Sequence, residues 1–84
     1  MYIDVKNNNT IFRVFKEDSK NNELVWHKDK KDRIVKVIKA NKWKFQRDNQ
    51  LPFELYDDMT IFIPKETIHR VIKGDGELMI KIIE

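Results

Sequence analysis

The sequence predicts a single all-β domain, and three observations carry that prediction. Short apolar segments rich in β-branched and aromatic residues recur along the 84 residues. Each is closed by Asn, Asp, Gly or Pro, residues whose backbone or side-chain chemistry favours turns. No window sustains the 3.6-residue apolar period of a helix over three turns. About eight short strands at close spacing suit a sandwich, a jelly roll or a barrel.

The segments can be taken in order. Tyr2-Ile3-Asp4-Val5 ends at Asn7-Asn8-Asn9, and Thr10 to Phe15 runs into the polar stretch Lys16 to Asn22. Glu23-Leu24-Val25-Trp26-His27 then leads into a charged loop. Arg33-Ile34-Val35-Lys36-Val37-Ile38-Lys39 is strongly β-branched, the composition that packs well on a pleated surface. Trp43-Lys44-Phe45-Gln46 precedes the turn Arg47 to Gln50, and Leu51 to Tyr56 extends around Pro52. Thr60 to Ile63 is stopped by Pro64, Ile68 to Ile72 follows, and Gly74-Asp75-Gly76 introduces Leu78 to Ile82. In that last segment Leu78, Ile80 and Ile82 share one face and Lys81 takes the other. Alternation within the strands predicts a core of Val35, Val37, Trp43, Phe45, Ile61, Ile63, Leu78, Ile80 and Ile82.

Composition narrows the function. A chain of 84 residues makes one domain, 1–84, whose small core gives it marginal stability. It has no cysteine, which excludes disulfides, thiolate metal sites and cysteine nucleophiles and suits a reducing compartment. The N-terminal residues lack the apolar run of a signal peptide and no stretch is long enough to span a bilayer, so a cytoplasmic protein without membrane partners is expected. The 17 basic and 14 acidic residues leave a net charge of +3. Their signs interleave: Lys28, Lys30 and Lys31 enclose Asp29 and precede Asp32. Counterion release needs a contiguous positive face, so nucleic acid is not the expected partner. Ser19 is the only serine and has no partnered base, and the two glycines sit in one turn, so neither a serine triad nor a phosphate loop can be drawn.

The stretch from Asp57 to Gly76 resembles the second signature of the cupin superfamily: a turn glycine, five residues, proline, one residue, a second glycine, two residues, histidine, three residues, asparagine. Here Asp58 takes the first glycine position, Pro64 matches, Glu66 takes the second glycine position, His69 matches and Lys73 stands for the asparagine. A left-handed turn tolerates Asp better than Glu. Trp26 to Arg33 is similar to a reduced first signature. His27 stands at the first ligand position, Asp29 at the second histidine, Arg33 at the glutamate, and Asn41 near the glycine turn. Small phage and bacterial proteins of this kind carry such degenerate motifs. The resemblance covers roughly residues 23 to 83 and implies a small cupin-type jelly-roll barrel, a fold that hosts many functions.

In that family, metal ligands point into the barrel. The resemblance therefore implies a metal set of His27, Asp29 and His69, two imidazoles and a carboxylate that suit Fe(II), Mn(II) or Zn(II) with positions left for a ligand. Period-two geometry places His27, Asp29 and Arg33 on one face, and His69 with Val71 on another strand's face. The permanent charge of Arg33 opposes a nearby cation, and Asp29 or Asp32 can instead pair with it to make a metal-free polar cluster, the pairing expected if no metal is bound. Arg33 is also the natural anchor for an anionic ligand, and Gln46, opposite Trp43 and Phe45, is a second candidate contact. Trp26, Trp43 and Phe45 read as packing residues and Arg70 as a surface residue. The expected geometry has His27 and His69 within a few ångströms inside the barrel, with Asp29 and Arg33 at the rim of the same cavity.

Two functions remain open. One is a barrel that binds a small polar molecule with a divalent metal as cofactor. The other is a metal-free barrel that binds a carbohydrate or carboxylate, or only another protein chain. Whether either is an enzyme is left open. A homodimer is expected, because the N-terminal segments Tyr2 to Val5 and Ile11 to Phe15 can pair with a partner's sheet edge.

Overall fold

Alternating side chains, buried on one face and exposed on the other, organise this chain into two antiparallel sheets. The protein is represented by a computed structural model that describes residues 2–18 and 24–84. Ser19 and Glu23, and with Glu23 the start of the third expected strand, lie outside the described residues. The strands are β1 (Tyr2–Asn7), β2 (Thr10–Phe15), β3 (Arg33–Lys39), β4 (Lys44–Arg47), β5 (Phe53–Glu54), β6 (Thr60–Ile63), β7 (His69–Ile72) and β8 (Leu78–Ile83). A five-stranded sheet has the order β1-β2-β8-β3-β6, and a three-stranded sheet has the order β5-β4-β7.

The inner faces of both sheets enclose one apolar cluster. Val37, Trp43 and Leu78 are fully buried, and Val35, Phe45, Ile61, Ile63, Ile80 and Ile82 are buried beside them. Every core residue expected from strand alternation is therefore inside. Ile11, Phe15, Leu24, Ala40 and Leu55 join them. β2 could not be assigned from its own sequence, because Ile11, Phe12, Val14 and Phe15 make it apolar on both sides. Its pairing with β8, which sets Ile11 beside Ile82 and Phe15 beside Leu78, turns Ile11 and Phe15 inward and Phe12 outward. A register shift between Val37 and Lys39 bends β3 where it meets Met79 of β8.

Connections are made with little glycine. Asn8, Asn41, Lys42, Asn49, Asp58 and Glu66 all take left-handed backbone conformations, with φ of 68° at Asp58 and 65° at Glu66. Both positions where the resembling signature has glycine thus keep the conformation that glycine would supply. For Glu66 that costs about 1–2 kcal/mol of backbone strain, against which its N–H donates to the Asp29 carbonyl at 2.8 Å. Gly74 serves another purpose. A Cβ there would collide with the backbone at Asn41 and Trp43. This close approach lets Asp75 N–H donate to Asn41 O at 2.8 Å and the buried Trp43 Nε1–H donate to Gly76 O at 2.7 Å.

Leu24 to His27 does not form the expected strand. Leu24 is buried, and the segment touches the smaller sheet through one isolated bridge, His27 to His69. Among the described residues no helix is long and apolar enough to cross a membrane.

Candidate functional site

The bridge between His27 and His69 is where the site begins. His27 N–H donates to His69 O at 3.0 Å and His69 N–H donates to His27 O at 2.9 Å, fixing the segment from Leu24 onto the first residue of β7. The two imidazoles lie side by side, with ring centroids 4.4 Å apart and planes at 64°. His69 is buried, its ring 5.5 Å from that of Phe45, and His27 stands on the exposed side.

Both rings are oriented in the same way. His27 Nδ1 lies 3.0 Å from the Val25 carbonyl, and His69 Nδ1 lies 2.8 Å from the Thr67 carbonyl. A carbonyl oxygen only accepts, so Nδ1 carries the proton in each neutral ring and Nε2 presents a lone pair. Burial holds the His69 imidazole below the ordinary histidine range. His27 and Arg33 push it the same way, against the Thr67 carbonyl and Asp29. Asp29 Oδ2 faces that lone pair at 3.4 Å, and this oxygen is buried with no hydrogen-bond partner among the described residues. One donor atom from each of His27, Asp29 and His69 can be chosen so that all lie within 4.8 Å of one another.

Charge around the triad is balanced by Arg33, which opens β3. Its NH1 is 3.3 Å from Asp29 Oδ1, while Nε and NH2 reach Glu84 Oε2 at 2.9 and 2.8 Å. The guanidinium bonding to Glu84 holds that carboxyl below its ordinary range. Arg33 and Asp29 are both of intermediate burial. Their side chains are only 15% and 13% exposed, because the Glu84 and Asp29 carboxylates compensate a guanidinium that could not otherwise sit so deep. Asp32 takes no part. Its Oδ1 accepts from Lys65 N–H at 2.8 Å and holds the Pro64 turn.

These groups form the polar end of a cavity of about 360 Å³ whose remaining wall is mostly aliphatic and aromatic. Tyr2 and Arg13 line it as well, and sequence reasoning missed both. Arg13 is held by Asp4, Nε to Oδ1 at 2.7 Å and NH2 to Oδ2 at 2.9 Å, and lies over the Tyr2 ring at 4.1 Å. A signal existed. A hairpin turning at Asn8-Asn9 pairs residues whose numbers sum to 17, which sets Asp4 opposite Arg13 (4 + 13) between otherwise apolar neighbours. Glu84, also missed, carries no such pattern. Gln46 is not brought to the cavity: its Nε2 donates to Gln50 O and its Oε1 accepts from Arg70 Nε, both at 2.9 Å. Arg70 lies on Trp26, 4.5 Å from the ring centre, so Trp26 packs outside.

No family profile matches the chain and no curated protein matches it by sequence. Solved structures do share its architecture. An RmlC-like cupin family protein with a double-stranded β-helix fold, from Methanocaldococcus jannaschii, is similar at a TM-score of 0.74 and 10% identity, over 100% of this chain and 79% of its own. A cupin domain from Bordetella pertussis is similar at 0.70 and 16% identity, over 100% and 90%. A cupin-2 domain containing protein from Shewanella frigidimarina is similar at 0.67 and 23% identity, over 95% and 74%. The likeness shows the fold, the double-stranded β-helix of the cupins.

Proposed function

Given this small cupin fold, we propose that the chain is a barrel protein that holds a divalent metal on His27, Asp29 and His69 and admits a small polar ligand to the cavity beside it. The observation that supports this most is Asp29 Oδ2, buried without a partner among the described residues and facing an imidazole nitrogen that has no proton to give. Two lone pairs 3.4 Å apart repel, and a cation between them satisfies both. Each ring also donates its far N–H to a backbone carbonyl, as metal-ligating histidines commonly do.

The charges fit as well. Arg33 against Asp29 and Glu84 leaves +1 − 2 = −1 with neutral imidazoles, so Arg33 does not leave the site cationic. Two imidazoles and a carboxylate suit Fe(II), Mn(II) or Zn(II). Bound there, the metal would supply Lewis acidity and a template for the ligand. The protein's own part is recognition. Arg33 lines the cavity beside the proposed metal ligands, and the apolar wall excludes water from whatever occupies it. A cytoplasmic setting belongs to this reading and is supported by a composition without cysteine.

The test is elemental analysis of untagged protein loaded with Fe(II), Mn(II) or Zn(II). Wild type should retain close to one metal per chain, His69→Ala should lose it, and His27→Ala, which removes the more exposed ligand, should hold it more weakly. If no metal is retained by wild type, the reading fails. The Asp29–Arg33 contact at 3.3 Å then favours the metal-free alternative, in which this polar cluster anchors a carbohydrate or carboxylate directly.

A further inference from the structure

Among the described strands, β1 forms the longest regular sheet edge. At the opposite edge of the same sheet, β6 is four residues long and stops at Pro64. In the smaller sheet β5 is two residues long and follows Pro52, while β7 is bridged at His69 by His27. β1 is six residues long, has neither proline nor bulge, and every one of its residues is exposed, with Ile3 at 51% and Val5 at 63%. Its outer side therefore presents unpaired backbone N–H and C=O groups along a regular strand, which invites another strand.

The side chains select the partner. An antiparallel two-fold pairing keeps each sheet face on its own side, so the axis must pass through a residue pair and not between residues. An axis at Asp4 sets Asp4 against its own copy, and an axis at Lys6 sets Lys6 against its own copy. An axis at Val5 sets Asp4 opposite Lys6 of the second copy, twice, on the cavity side, and Val5 against Val5 on the outer side. Directly opposed like charges destabilise a sheet and opposed unlike charges stabilise it. We infer that the chain forms a homodimer in which two β1 strands pair antiparallel about Val5, joining the two five-stranded sheets into one. The pairing covers the exposed Ile3 and Val5. It also anchors the strand that supplies Tyr2 to the cavity and holds Arg13 through Asp4.

The chain has no cysteine, so one introduced thiol reads the register cleanly. Directly opposed residues in an antiparallel pair have Cα atoms about 4.5–5.5 Å apart, within disulfide reach. Residues two positions either side of the axis lie about 14 Å from their own copies, beyond it. Under mild oxidation at micromolar concentration, Val5→Cys should convert largely to a covalent dimer and Ile3→Cys should remain monomeric in non-reducing electrophoresis. By sedimentation velocity wild type should run as a dimer, and Lys6→Glu, which sets two acids against each other, should run as a monomer with unchanged far-ultraviolet circular dichroism. A wild-type monomer, equal cross-linking of both thiol variants, or a Lys6→Glu dimer would each overturn the inference. None of these results depends on a metal.

Discussion

Replacing Asp29 by Asn keeps the shape of the side chain and changes only its charge and one donor. In metal-free protein the substitution weakens the contact with Arg33, whose guanidinium keeps Glu84 at 2.8 Å. Losing one charge-assisted contact costs about 1.5–3 kcal/mol. Against this, the amide introduced by Asp29→Asn can donate to His69 Nε2, which lies 3.4 Å from the present Oδ2, and the unsatisfied buried oxygen disappears. Making that bond and removing that penalty returns about 1.5–4.5 kcal/mol. The two nearly cancel. In chelator the variant should melt within about 4–8 °C of wild type, the shift that 1 kcal/mol produces in a domain of this size. Metal at a hundredfold its Kd should stabilise wild type by about 2.7 kcal/mol, a rise of about 10–20 °C, and the variant should gain less than half of that. Scanning calorimetry with Zn(II), Mn(II) or anaerobic Fe(II) against chelator measures both quantities. An equal metal-induced rise in the two proteins, or none in wild type with any of the three, would refute the role given to Oδ2.

Ile80→Ala removes a residue that is 7% exposed on a central strand; it should lower unfolding free energy by about 2–5 kcal/mol, and a urea titration showing no loss would mean that the inward face of β8 is misassigned. Glu66→Gly should stabilise the fold by roughly 0.5–1 kcal/mol, since glycine has no steric penalty at φ 65° and the surface ion pair with Lys28 is weak; a drop in melting temperature would contradict it. Acid sensitivity has a definite sign. His69 and Glu84 both have folded pKa values below their ordinary 6.5 and 4.5. The unfolded chain therefore binds more protons as pH falls through each window. Stability in chelator should decline from about pH 6.5 downward, more steeply below the ordinary Glu84 value, and Glu84→Gln should flatten the second decline in denaturant titrations at stepped pH.

Much of the barrel was legible in the amino-acid order because burial imposes a local period. Val35 and Val37, or Leu78, Ile80 and Ile82, can be assigned to an inner face without knowing what lies opposite, since a strand turns alternate side chains to alternate sides. The spacing from Asp58 through Pro64 to His69 also survives as a local pattern, and the structure shows why its glycines are dispensable: Asp58 and Glu66 accept left-handed backbone. What stayed hidden depends on residues far apart in the chain. The inward side of β2 follows only from its register with β8. Glu84 enters the site because the end of β8 lies next to the start of β3, 51 residues away, and Gln46 is drawn off by Arg70 and the Gln50 carbonyl. The resemblance to the two cupin signatures nominates His27, Asp29 and His69 together. Which oxygen of Asp29 is left without a partner was decided by Arg33 taking the other, because a charge buried at this depth is distributed among whichever opposite charges the tertiary fold brings within reach.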